Sequence, residues 1–252
     1  MRRLLDPGAV IDGALRACAA AVVMLAVSWW NLRRLPPPAE IRPELRRDPA
    51  QAAAAQAPFE LERRGYRYRL EPRATYDLYG LVVAKHRSSS WLDNSHEEWR
   101  DYLNTEDLCV LWGDNVASVD YRRMSFSHGD WTCYYEYAGS AGAGFRKDQM
   151  GNNHLIPADD AVARAIDAAQ IGDQVRVRGL LTDYRNEANG AGRATNLARG
   201  TGVCEVVYVT EYATLASHNA LWLSLWRASQ LLGEAALGAF ALAFFVLPYI
   251  AP

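Results

Sequence analysis

Three histidines stand beside polar neighbours in this chain: His96 before Glu97 and Glu98, His128 two residues before Asp130, and His154 after Asn152 and Asn153. Imidazole nitrogens with a carboxylate make a workable ligand set for zinc or a similar cation. Their spacing matches no metal motif, because the segment around His96 departs from H-E-x-x-H and no two histidines fall within one helical turn. His96, His128, His154 and Asp130 are therefore candidate ligands only, and histidines serving their own loops are the plainer expectation. Ser88, Ser89 and Ser90 follow His86, but no G-x-S-x-G elbow is present, so they read as polar turn residues.

The Gly-rich stretches 139–144 and 186–202 lack the Lys-Ser/Thr ending and following helix of a phosphate loop. Arg185, Arg193 and Arg199 in the second stretch could contact an anion or a partner, although a hairpin tip is the simpler reading. Trp112, Trp131, Tyr134, Tyr135 and Tyr137 could form a stacking face for a sugar or a single strand. Core packing accounts for at least half of the Tyr134–Tyr137 run, since alternate strand residues face inward. No cofactor fingerprint is found, and none is expected to bind.

Charge narrows the classes further. Residues 1–57 hold eight Arg against five acids, whereas residues 58–219 hold 18 Lys and Arg against 23 acids. A domain with five excess negative charges is poorly suited to tracking phosphates, which argues against nucleic acid.

Two apolar segments flank that domain. Ala17–Leu32 carries no charge; its 16 residues span about 24 Å as a helix, and starting near Gly13 with Arg16 snorkelling completes a crossing. Trp29 and Trp30 suit an interfacial belt, and the absence of a small-x-small site after the run favours an uncleaved anchor over a signal peptide. Ala228–Ile250 has Glu234 as its one charge and is preceded by Trp222 and Trp226. The expected order is a tail (1–12), a transmembrane helix (13–32), a Pro/Ala-rich stalk (33–57), the domain (58–215), an interfacial segment (216–227) and a second transmembrane helix (228–250). Both termini would share one side of a bacterial inner membrane, with the domain in the periplasm. Glu234 is expected to face another helix, because a charge exposed to lipid costs roughly 2.5 kcal/mol or more.

Within the domain, Tyr76–His86, Leu108–Trp112, Trp131–Tyr137, Gln174–Tyr184 and Val203–Tyr212 read as strands. Ser95–Leu103 reads as a short helix, and Pro157–Ile171 as a longer one with Val162, Ile166 and Ala169 on one face. The fold class is thus mainly β with one or two short helices, flanked by two transmembrane helices. Five strands with a helix between the third and fourth resemble an OB-fold barrel over roughly residues 75–215. In such a barrel the third and fifth strands run parallel as neighbours, and equal offsets along them predict a disulfide between Cys133 and Cys204. Cys109, in an apolar run, reads as a buried thiol.

Tyr79-Gly80, DLCVLWGDN (107–115), NNHL (152–155), GDQVRVRG (172–179) and GVCEVVYV (202–209) together resemble a group of uncharacterised bacterial membrane-anchored proteins. The likeness covers most of residues 76–226; it implies anchorage and names no activity or catalytic residue. With no catalytic grammar in view, the expected function is a noncatalytic binding or assembly module that engages another envelope protein or itself. The alternatives are a metal-dependent hydrolase built on the histidines, or an OB-type binder of nucleic acid or glycan.

Overall fold

The computed structural model describes residues 6–87, 100–129, 132–199 and 204–247. It falls into two compact units, Met1–Arg34 with Asn219–Pro252, and Leu35–His218. Four helices are described: α1 (Pro7–Asn31), α2 (Asp114–Ala117), α3 (Asp160–Asp167) and α4 (Ala220–Phe245). Ten strands accompany them: β1 (Ala50–Ala53), β2 (Phe59–Arg63), β3 (Tyr66–His86), β4 (Glu106–Leu111), β5 (Met124–His128), β6 (Cys133–Tyr137), β7 (Met150–Pro157), β8 (Asp173–Asn186), β9 (Gly192–Arg193) and β10 (Cys204–Ser217).

The first unit is a helix pair. Asp6 caps α1 by accepting from the Gly8 amide at 3.0 Å, with Pro7 in the first turn. Ala14, Ala21 and Ser28 of α1 are buried, as are Ser229, Ala236 and Ala243 of α4. Both sets repeat every seven residues, so one seam of small side chains lets the two backbones approach closely. Large apolar groups such as Val22, Trp30, Leu231 and Phe245 lie exposed. Both helices are long and apolar enough to cross a membrane. An apolar exterior around a small-residue seam is what lipid solvation favours, which supports membrane association. Helix α4 starts at Ala220, so Trp222 and Trp226 lie within it and not in a separate segment before it. Glu234 is exposed on the pair.

The second unit is built on one large sheet. Strand β3 pairs antiparallel with β4, β4 antiparallel with β7, β7 parallel with β10, β10 antiparallel with β8, and β8 antiparallel again with β3. The pairings therefore return to their starting strand, with register shifts in the β3–β4, β3–β8 and β8–β10 ladders. Leu78, Val82, Val110, Leu155, Val177 and Val209 fill the main core, closed by Val162 and Ile166 of α3. Asp159 caps α3 by accepting from the amides of Ala161 and Val162. Pro157, expected in that helix, instead ends β7.

Two expectations need correction. The third strand of the ring is β7, whose Asn-Asn-His centre hides its strand character from a hydrophobicity pattern; the Cys133–Tyr137 run forms a separate hairpin with β5. The Pro/Ala-rich segment is not a free stalk. Ile41 and Leu45 are buried, the Gln174 side chain accepts from the Arg42 amide and donates to the Glu40 carbonyl, and the Tyr121 hydroxyl donates to the Pro36 carbonyl. Two apolar residues four apart suffice to dock it, because its prolines have already restricted the unfolded chain. Of the expected 95–103 helix, residues 95–99 lie outside the described residues, and Leu103 is buried but not helical.

Candidate functional site

Strand register places five chemically capable side chains on one face. Asp107 sits opposite His154 and Cys109 opposite Asn152 across β4–β7, while Asn152 sits opposite Cys204 across β7–β10. Side chains two apart on a strand share a face, so Asp107, Cys109, Asn152, His154 and Cys204 converge. Their neighbours Leu108, Val110, Leu155 and Val207 turn to the main core.

At the centre, His154 Nδ1 donates to Asp107 Oδ1 at 2.6 Å, and Asn104 Nδ2 donates to the same oxygen at 2.5 Å. Asp107 and His154 are fully buried, whereas Cys204 is half-buried. Burial alone would push the imidazole pKa down, but the charge and hydrogen bond of Asp107 outweigh it and raise His154 to about 9. Arg193 Nη1, 3.1 Å from His154 Nε2, opposes that rise more weakly. Burial would likewise raise the Asp107 carboxyl; the facing imidazole holds it below its ordinary range.

The Cys204 thiol hydrogen-bonds His154 and accepts from Asn152 Nδ2 at 3.7 Å. Burial pushes its pKa up, yet those bonds bring it below an ordinary thiol. Cys204, His154 and Asp107 thus stand in the relation of sulfur, imidazole and orienting carboxylate, and a ring held protonated by Asp107 favours the thiolate form of the sulfur beside it.

A second group borders this row. His128 Nε2 donates to Asn152 Oδ1 at 2.8 Å and lies 3.8 Å from Asp107 Oδ2, while its Nδ1 contacts the Gly129 carbonyl. Its ring stacks on His86, with centroids 5.5 Å apart. Cys133, opposite His128 in the β5–β6 hairpin, is disulfide-bonded to Cys109 with Cα atoms 5.9 Å apart. The expected Cys133–Cys204 bridge is therefore wrong. A parallel strand pair does carry Cys204, but the residue opposite it is Asn152, because β7 occupies the place assigned to the Cys133 strand. Cys109, read as a lone thiol, is the true partner.

On the core face, Glu205 is buried with Oε2 lacking a hydrogen-bond partner among the described residues. Burial raises its carboxyl pKa well above the ordinary value. Nearby, the Tyr76 hydroxyl donates to Asn153 Oδ1 at 3.0 Å.

The remaining candidates scatter. His96, Asp130 and Trp131 lie outside the described residues. Arg193 is largely buried, with Nε 3.4 Å from Asp101 Oδ2, and is not at a loop tip. Arg199 pairs with Asp48 at 2.7 Å. Arg185 is exposed and lies directly opposite Arg69 along a groove of about 460 Å³ that Arg193 also lines. Trp112 is fully buried, which removes it from any stacking face, whereas Tyr134 and Tyr137 are exposed.

Sequence reasoning passed over Asp107, Asn104 and the reactive setting of Cys204. The available signal was polar residues two apart inside strand-length runs, Asp107-x-Cys109 and Asn152-x-His154, which a sheet must place on one face. Compared with known families, curated proteins and solved structures, the chain matches none.

Proposed function

We propose that this is a membrane-tethered thiol enzyme of the hydrolase or acyl-transfer class, with Cys204 as nucleophile, His154 as the imidazolium that holds it as a thiolate and Asp107 as the group that orients and charges that ring. The observation carrying this reading is that three neighbouring strands place Cys204, beside Asn152, on the same face as His154, which is bonded to Asp107 Oδ1 at 2.6 Å. The nucleophile alone of the three meets solvent, as attack on a substrate requires. Asn152 Nδ2, already beside the sulfur, is the donor placed to stabilise developing negative charge on a carbonyl oxygen.

The ring of pairings with α3 between β7 and β8 supports an OB-like barrel as the scaffold. Tethering follows from α1 and α4, and the Cys109–Cys133 bond supports an oxidising, periplasmic location for the domain. A noncatalytic assembly module remains the second reading. It is favoured by Glu234, a carboxylate exposed on α4 that a neighbouring helix would satisfy.

Acylation tests the first reading. Full-length protein in detergent, mixed with p-nitrophenyl acetate, should release a stoichiometric burst of nitrophenol and gain one acetyl group on Cys204. Cys204→Ser should lose the burst and His154→Gln should slow it by about a hundredfold or more, the low end for a positioned acid–base group. An undiminished burst in Cys204→Ser, or no acetyl on the Cys204 peptide, would leave the assembly reading in its place.

A further inference from the structure

We infer that Cys109, Cys133 and His128 form a zinc site whenever the Cys109–Cys133 bond is reduced, so that disulfide and metal are alternative occupants of one position. The two sulfurs and a ring nitrogen of His128 all lie within 4.8 Å of one another. The sulfurs are close because they are bonded to each other; once reduced, they need to separate only to roughly 3.7 Å to share a cation with that nitrogen, since zinc bonds sulfur at about 2.3 Å and imidazole at about 2.0 Å. Both cysteines are buried and the His128 side chain is only 1% exposed, so the position is screened from bulk solvent.

Each ligand is fixed by a different element: Cys109 by β4 in the sheet, His128 and Cys133 by opposed positions of the β5–β6 hairpin. Zinc at Nε2 would replace the hydrogen bond that this nitrogen now makes to Asn152 Oδ1, with the ring proton moving to Nδ1, where the Gly129 carbonyl accepts it, the arrangement usual around ligating histidines. An independent observation is an unused buried acceptor facing this position. Asp107 Oδ2 is buried, has no hydrogen-bond partner among the described residues, and lies 3.8 Å from His128 Nε2.

Two thiolates with one imidazole favour zinc over calcium or magnesium, and three protein ligands leave a fourth position for solvent or a further ligand. The chemistry balances in two steps. A dithiol reductant gives two electrons and two protons to the disulfide and becomes a disulfide itself. Zn²⁺ then displaces the protons of both thiols. Either occupant ties the hairpin to β4; with zinc bound, a cation sits beside Asp107.

Zinc content of the full-length protein in detergent tests this. The chain is treated with a phosphine reductant, incubated with zinc sulfate and passed through a desalting column in the same reductant. About one zinc per chain should remain, against almost none in the unreduced protein. Cys109→Ser, Cys133→Ser and His128→Ala should each lose it, with far-UV circular dichroism establishing that each variant is folded. Cobalt in place of zinc should give the charge-transfer absorption of thiolate ligation. Cys204→Ser should retain full zinc, so this result stands or falls separately from the nucleophile at Cys204. Zinc-free reduced protein, zinc retained by folded Cys109→Ser, or zinc lost in Cys204→Ser would overturn the assignment.

Discussion

Asp107 is the residue on which the site turns, because a single buried carboxylate faces two histidines. Its effect on His154 has a thermodynamic consequence. A folded pKa raised from 6.5 to about 9 contributes stability that is fully present below about pH 6.5 and lost as pH rises through about 9. Chemical denaturation at pH 6 and pH 9.5 should show that loss, at most a few kcal/mol, and His154→Gln should reduce it. Glu205, also raised, acts in the same direction but from about pH 4.5 upward, so Glu205→Gln subtracts its share. Equal pH dependence in wild type and His154→Gln would mean that the imidazole is not held charged. The pairing of His154 with Asp107 could not be read from the sequence, since 46 residues and an intervening hairpin separate them. The presence of polar residues at alternate strand positions could.

Among the elements, the runs rich in β-branched residues were legible, and their shared feature is a one-sided apolar pattern. Strand β7 was not, because its buried centre is polar: Asn152, Asn153 Oδ1 and His154 take hydrogen bonds with side chains from other strands and from the β5–β6 hairpin. Misplacing that one strand also misplaced the disulfide. The Pro/Ala-rich segment failed for a different reason: composition argues against an independent core, yet says nothing about docking onto an existing one. Leu45 is fully buried there, and its carbonyl accepts from the Gly113 amide at 2.8 Å. Leu45→Ala should destabilise the domain by about 2–5 kcal/mol, measured by denaturant unfolding. A change below about 0.5 kcal/mol would show that the segment is a stalk after all.

At the scale of the molecule, two candidate spans enclose one β-rich unit, and the hairpin topology expected from the sequence rests on both crossing. Cysteines introduced as Ala50→Cys and Pro252→Cys should answer oppositely to a membrane-impermeant maleimide in intact inner-membrane vesicles. Matching answers would remove one span. The proposed function rests on an activated thiol at Cys204. Its most direct test is the pH dependence of Cys204 alkylation by iodoacetamide in the full-length protein, read from the Cys204 peptide by mass spectrometry. The inflection should fall below that of an ordinary thiol, near 8.5, and move upward in His154→Gln and Asp107→Asn. An ordinary inflection common to all three proteins, or a thiol that reacts only after unfolding, would contradict it.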